Sequence, residues 1–359
     1  VHLFDELKIR KVTLRNRIVV SPMCQYSCAD GFATDWHLVH LGSRAVGGAA
    51  AVIAEATAVT PEGRISPVDL GIWKDEHIGP LARIAAFIRE QGAAPGIQIA
   101  HAGRKASVRR PWDGGGAVPD SEGGWTPVAP SAIAFEERYR TPSELDKSGI
   151  RRIVDAFAEA ARRAARAGFQ VLEVHAAHGY LIHEFLSPLS NHRIDAYGGS
   201  FENRTRFARE VVEAVRRVWP AELPLFVRIS ATDWIPGGWV VEQSVELAKQ
   251  LKKLGADLID CSSGGTAPGA KIPMEPGYQV PFAEVIRREV GVMTGAVGMI
   301  TGAKQADDII REGKADVVLL AREYLRQPYW PIQAARELGY EIAWPAQYLR
   351  AAPEGTRAR

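Results

Sequence analysis

The sequence predicts an α/β fold, a single (β/α)8 TIM barrel. Three observations carry this prediction. Short apolar runs alternate with amphipathic helical stretches, the strand-helix unit recurs eight times, and 359 residues hold a barrel of about 250 residues with long loops to spare.

The elements follow in order. The first 15 residues form a hairpin that plugs one end of the barrel. "RIVVS" (17 to 21) is strand 1, and the helix that follows starts at 35. "AVIAEA" (51 to 56) is strand 2, with a helix near 76 to 91, and "GIQIA" (96 to 100) is strand 3. The Gly-, Pro- and Trp-rich segment 102 to 145 is too long for an ordinary connection and predicts a loop over the other barrel mouth. A helix at 150 to 167 leads into "VLEVH" (171 to 175), strand 4. "LFVRIS" (225 to 230), "DLIDCS" (257 to 262), "VMTGA" (292 to 296) and "DVVLLA" (316 to 321) complete the set, with helices near 203 to 218, 242 to 254, 281 to 290 and 303 to 313. The whole of 1 to 359 is taken as one domain, with the barrel at about 16 to 340, an extension at 341 to 359 and a frayed tail "PEGTRAR".

Composition narrows the function. Basic and acidic residues number 44 and 42 and are spread along the chain, so no basic tract points to nucleic acid or an anionic membrane, and a small-molecule partner is expected. Cys24, Cys28 and Cys261 are too few for a disulfide framework or an iron-sulfur site, which favours reduced thiols. No signal-peptide core and no run near 20 apolar residues is present, so the expected location is cytoplasmic.

Polar residues flanked by apolar neighbours on a barrel strand point inward. Gln98 on strand 3, Glu173 and His175 on strand 4 and Arg228 on strand 5 are such residues. They lie near the C-terminal strand ends, where barrel enzymes place their chemistry. "EVHAAHGYL" (173 to 181) adds His178 and Tyr180, and the two histidines are candidates for metal ligands, acid/base groups or an ordinary buried turn. The metal alternative, a barrel hydrolase, lacks an H-x-H pair on strand 1, and "HAGRK" offers only His101. The loops after strands 7 and 8, "GAVGMITGA" (295 to 303) and "ARE" (321 to 323), fit a phosphate site with Arg322 as a bidentate partner, implying a phosphorylated cofactor.

Beyond single residues, "SPMCQY" (21 to 26), "EATAVTPEGRIS" (55 to 66), "QIAHAGRKA" (98 to 106), "VHAAHGYL" (174 to 181), "LSNHRIDAYGGSFENRTRF" (189 to 207), "GAVGMIT" (295 to 301) and "PAQYLR" (345 to 350) resemble the Old Yellow Enzyme family, its thermophilic-like subclass in particular. The resemblance covers nearly the whole chain. It implies an FMN-dependent, NAD(P)H-driven ene-reductase that delivers hydride to the β-carbon of an activated alkene. It places Ser21, Pro22, Met23 and Cys24 along the flavin ring, Ala56 and Gln98 at its polar edge and Arg228 beside N1 and O2. Gly298, Ala321 and Arg322 would hold the phosphate. His175 and His178 would bind the substrate carbonyl, Tyr180 would protonate the α-carbon, and Tyr26 would touch the substrate. Arg350 would enter a neighbouring subunit's site, implying a homodimer or homotetramer. Two departures stand out: members commonly have glycine at the position of Ala321, and Val297 stands where a tryptophan occurs in the subclass, implying a roomier pocket.

Overall fold

The computed structural model describes residues 1 to 359 and contains a closed parallel barrel of eight strands. The strands are β1 (Ile18–Val20), β2 (Ala51–Ala58), β3 (Ala94–Ala100), β4 (Val171–Ala176), β5 (Leu225–Ser230), β6 (Leu258–Ser262), β7 (Met293–Val297) and β8 (Val317–Leu320). Each lies at a predicted position. The outer layer contains α1 (Asp35–Val46), α2 (Ile78–Glu90), α3 (Lys147–Arg166), α4 (Phe201–Val218), α5 (Val241–Lys253), α6 (Val280–Val290), α7 (Ala303–Arg311) and α8 (Trp330–Leu338). The last of these, with short helices at Leu181–Leu186 and Arg322–Arg326, escaped the sequence reading. Both short helices have too few turns for a helical period to emerge.

Strand alternation divides the apolar residues into two cores. Leu172, Val174, Val227 and Ile259 face the helices within the large core. Val19, Ile53, Val171, Phe226, Leu258, Val317 and Leu319 fill the barrel interior, where they meet Leu7, Ile9, Val12 and Leu14 of the N-terminal hairpin. The hairpin is therefore the expected plug, and it leaves the C-terminal mouth for chemistry.

A bulge interrupts β2. Ala54 pairs with Ile97 and Thr57 with Ile99, so two residues of β2 stand opposite Gln98. Glu55 turns outward, accepting from Gln25 N at 2.8 Å and pairing with His37 Nε2 at 3.0 Å. Ala56 is left beside Gln98. The "SPMCQY" loop is thereby tied to the barrel wall.

The long segment after β3 is not featureless. Val128–Ala129 and Ser143–Glu144 pair, and Trp125, Ala102, Ala106, Val108 and Tyr139 pack with Cys24, Tyr26, Ile65 and Tyr180 at the mouth. The tail corrects the expectation of fraying. Trp344 bridges to Ala358, Arg359 N donates to Trp344 O, and the Arg359 guanidinium donates to Val46 O at the end of α1. No helix is long and apolar enough to cross a membrane.

Candidate active site

The floor of the mouth is polar and fully buried. Arg228 Nε donates to Asp260 Oδ2 at 2.5 Å and Nη2 to Ser21 Oγ at 2.7 Å, while Gln98 Nε2 donates to Glu173 Oε1 at 2.9 Å. Burial disfavours a charged guanidinium, but Asp260 and Glu173 more than offset that and raise the Arg228 pKa, so it stays cationic. Its Nη1 is not spent on the chain. Ser21, Pro22, His178, Arg228, Ser262, Val297, Gly298, Ala321 and Arg322 line one cleft of about 410 Å³.

At the far rim of this cleft the backbone adopts unusual conformations. Gly298 has φ 112° and Met299 φ 50°, and a Cβ at Gly298 would lie 2.5 Å from Gln279 Nε2, whose amide donates to Val297 O at 2.8 Å. Glycine is required there. Ala321 has φ −112°, outside the left-handed region that calls for glycine. Arg322 follows it as the first residue of the Arg322–Arg326 helix, with its side chain exposed.

Above the floor, His175, His178 and Tyr180 form a cluster. The His175 ring lies edge-on to His178 at 5.1 Å and to Tyr180 at 5.0 Å between centroids. His178 has φ 61°, costly for a residue with a Cβ, and the turn is held from three sides. Its N donates to Ser230 Oγ at 2.9 Å, and Lys105 Nζ bridges His178 O and Gly265 O at 2.9 and 3.0 Å. The backbones of Gly179 and Gly265 pack so closely that a Cβ at Gly179 would lie 2.0 Å from Gly265 O.

Hydrogen bonds assign the ring protons. Ala177 N donates to His175 Nδ1 at 3.4 Å, which places the His175 proton on Nε2. Ser262 Oγ lies 2.6 Å from His178 Nε2 and 3.5 Å from Gln279 Oε1, an oxygen that already accepts from Ser263 at 2.6 Å. With Ser262 Oγ donating to His178 Nε2, the His178 ring carries its own proton on Nδ1. Burial, reinforced by the neighbouring cations Arg228 and Lys105, drives both histidine pKa values well below their usual range, so both rings are neutral single donors.

Tyr180 and Tyr26 line an adjoining depression of about 300 Å³ with Lys105 and Tyr139. Burial, followed by the influence of Cys24 and Tyr26, holds the Tyr180 pKa well above that of free tyrosine, so its hydroxyl keeps its proton at neutral pH. Cys24 is a free thiol next to Tyr26, and burial raises its pKa too, which keeps it uncharged. Met23 packs against the large core below it.

The predicted position Arg350 lies away from both cavities. It is exposed on a 3-10 turn, Ala346–Ala351. His101 is buried, its Nδ1 accepting from Gly103 N at 3.0 Å. Nowhere do three His, Cys, Asp or Glu side chains converge as metal ligands, so the histidine pair has no partners for the hydrolase alternative. Residues that sequence reasoning left without a role prove central: Asp260, Ser262 and Lys105. The first two are polar residues in phase on "LIDCS", and the alternation that found Arg228 finds them as well.

Comparison with known proteins agrees with this arrangement. The family model described as "NADH:flavin oxidoreductase / NADH oxidase family" matches residues 2 to 341. The chain is 55% identical over 350 residues to an NADPH dehydrogenase of Geobacillus sp. (strain WCH70), covering 97% of this chain and 98% of that one. It is 50% identical over 350 residues to the NADPH dehydrogenase of Bacillus subtilis (strain 168), again covering 97% and 98%. Among solved structures, morphinone reductase in complex with tetrahydroNAD superposes with TM-score 0.79 at 28% identity, covering 96% of this chain and 93% of that one. A 2-naphthoyl-CoA reductase complex gives TM-score 0.85 at 27% identity, covering 94% of this chain and 52% of that one. With its barrel, its buried arginine floor and a match along almost its full length, the chain belongs to the NADH:flavin oxidoreductase family, the Old Yellow Enzymes.

Proposed function

We propose that the protein is an FMN-dependent NAD(P)H:alkene oxidoreductase acting on α,β-unsaturated carbonyl or nitro compounds, with NADPH as the reductant its relatives' names favour. The observation that carries this reading is the convergence of two neutral imidazole donors and one protonated tyrosine above a buried arginine floor. The residues present fit FMN. Arg228 Nη1 and the carboxamide of Gln98 offer a polar edge to the isoalloxazine, with Ser21, Pro22, Met23, Cys24 and Ala56 along the ring. The Gly298 loop, Ala321 and Arg322 fit the phosphate. When bound, FMN supplies the two-electron chemistry, taking hydride from the nicotinamide and giving it to the β-carbon.

The chain supplies the rest. His175 Nε2–H and His178 Nδ1–H point two fixed donors at one oxygen, so charge developing on a substrate carbonyl or nitro group is stabilised without reorganisation. Tyr180 O–H delivers a proton to the α-carbon, Tyr26 contacts the substrate, and the loop after β3 shields the mouth. Arg350 reaches a neighbouring subunit's active site, a role its exposure leaves open to it, and the protein works as a homo-oligomer. In that case Arg350→Ala raises the KM for enones and leaves flavin reduction unchanged; an unaltered KM removes Arg350 from the site. The domain is the FMN-binding barrel itself.

The test is product analysis. Purified protein should carry FMN and, under argon, convert cyclohexenone and NADPH to cyclohexanone. A flavin-free, metal-dependent hydrolase would overturn the reading. The phosphate assignment makes its own prediction. Gly298→Ala forces a left-handed residue against Gln279, costing about 2 kcal/mol, which lowers FMN affinity on the order of 30-fold. Fluorimetric FMN titration of the apoprotein measures it.

A further inference from the structure

Two carboxyl groups meet beneath Arg228, and the mechanism above uses neither. Glu173 and Asp260 have no exposed surface. One oxygen of each is engaged: Glu173 Oε1 accepts from Gln98, and Asp260 Oδ2 accepts from Arg228. The other two, Glu173 Oε2 and Asp260 Oδ1, are buried with no donor from the chain. The two side chains are nevertheless within hydrogen-bonding reach of each other. Two buried acceptor oxygens without donors, on carboxyl groups that lie against the same guanidinium, are satisfied together by one proton between them.

Charge leads to the same conclusion. The groups packed around the pair are Arg228 from β5, uncharged Gln98 from β3, neutral His175 above, and Val171, Phe226 and Leu258 below. Arg228 is the only cation in contact, 2.5 Å from Asp260 and 3.7 Å from Glu173. Two carboxylates against one guanidinium would leave a net negative charge buried in the barrel; one proton leaves none.

We propose that Glu173 and Asp260 share a single proton and that this pair, acting through Arg228, is a positioning element that sets the charge presented to the cofactor. The cofactor part rests on the FMN reading above; the proton itself does not. Burial, then the proximity of Asp260, raises the Glu173 pKa to about 8, so the pair begins to lose its proton just above neutral pH. Reduction adds two electrons from NAD(P)H beside Arg228. Above that pH, where the pair has lost its proton, the added negative charge draws a solvent proton back onto it, alongside the one the cofactor takes up.

Glu173→Gln tests this without an orphaned atom: its amide oxygen still accepts from Gln98, and its N–H takes the place of the shared proton. Asp260→Asn does the same from the other side. Infrared difference spectra of the purified protein, wild type minus each variant at neutral pH, should show a neutral carboxylic-acid band that shifts in D2O and is lost as the pH is raised through about 8; differencing cancels the band of Glu184, another buried carboxyl raised to about 8. The FMN potential of the wild type should then steepen with pH from one proton per electron pair to two, while Glu173→Gln stays at one throughout. Difference spectra without such a band for either variant, or parallel potential profiles, overturn the proposal. If FMN does not bind, the infrared comparison still decides it.

Discussion

Tyr180→Phe is expected to slow alkene reduction by about 10²–10⁴-fold, the usual contribution of a positioned acid, while reduction of the flavin by NADPH keeps its wild-type rate. The asymmetry follows from position. Tyr180 follows the His178 turn, edge-on to His175, and packs against the apolar cluster of Ile65, Ala102, Ala106 and Val108. Phenylalanine preserves that packing and removes only the hydroxyl. Burial keeps the proton on Tyr180 at neutral pH, so it can donate to a carbanionic α-carbon, and no such donor is needed when the flavin is reduced. Anaerobic stopped-flow measurement of the two half-reactions checks this; equal losses in both would refute the role.

The paired substitution His175→Ala and His178→Ala should weaken phenol binding by at least about 10²-fold, since each hydrogen bond to a charged oxygen contributes about 1.5–3 kcal/mol. A phenolate presents the oxygen that the two N–H groups are placed to hold. The same geometry fixes a pH response. A histidine whose folded pKa lies far below its free value gains no proton until the pH is well under the normal histidine range. Phenol affinity should therefore show no histidine titration near pH 6–7. Difference spectroscopy with phenol across that range measures both effects. Unchanged affinity in the double variant would argue against the oxygen-holding role.

Much of the fold was legible because strand alternation and helix period are local signals. All eight strands, the hairpin plug and the inward phase of Gln98, His175 and Arg228 could be read from neighbours within a few residues. What escaped depends on distant partners. Asp260 matters because Arg228 lies 2.5 Å away on the preceding strand, and Ser262 because it bonds the ring of a histidine 84 positions earlier. Lys105 looked like part of a motif, yet it fastens the turns after β4 and β6 together. The β2 bulge that turns Glu55 outward is invisible in "AVIAEATA", where no Gly or Pro marks it. The tail is ordered by Trp344 and Val46, contacts that no composition rule anticipates.

The most direct test of the central claim is a single anaerobic experiment on the purified yellow protein. NADPH should bleach the flavin, and cyclohexenone should then restore the oxidised spectrum with one cyclohexanone formed per flavin. A protein that NADPH does not bleach, or a reduced flavin that cyclohexenone leaves bleached, would contradict it.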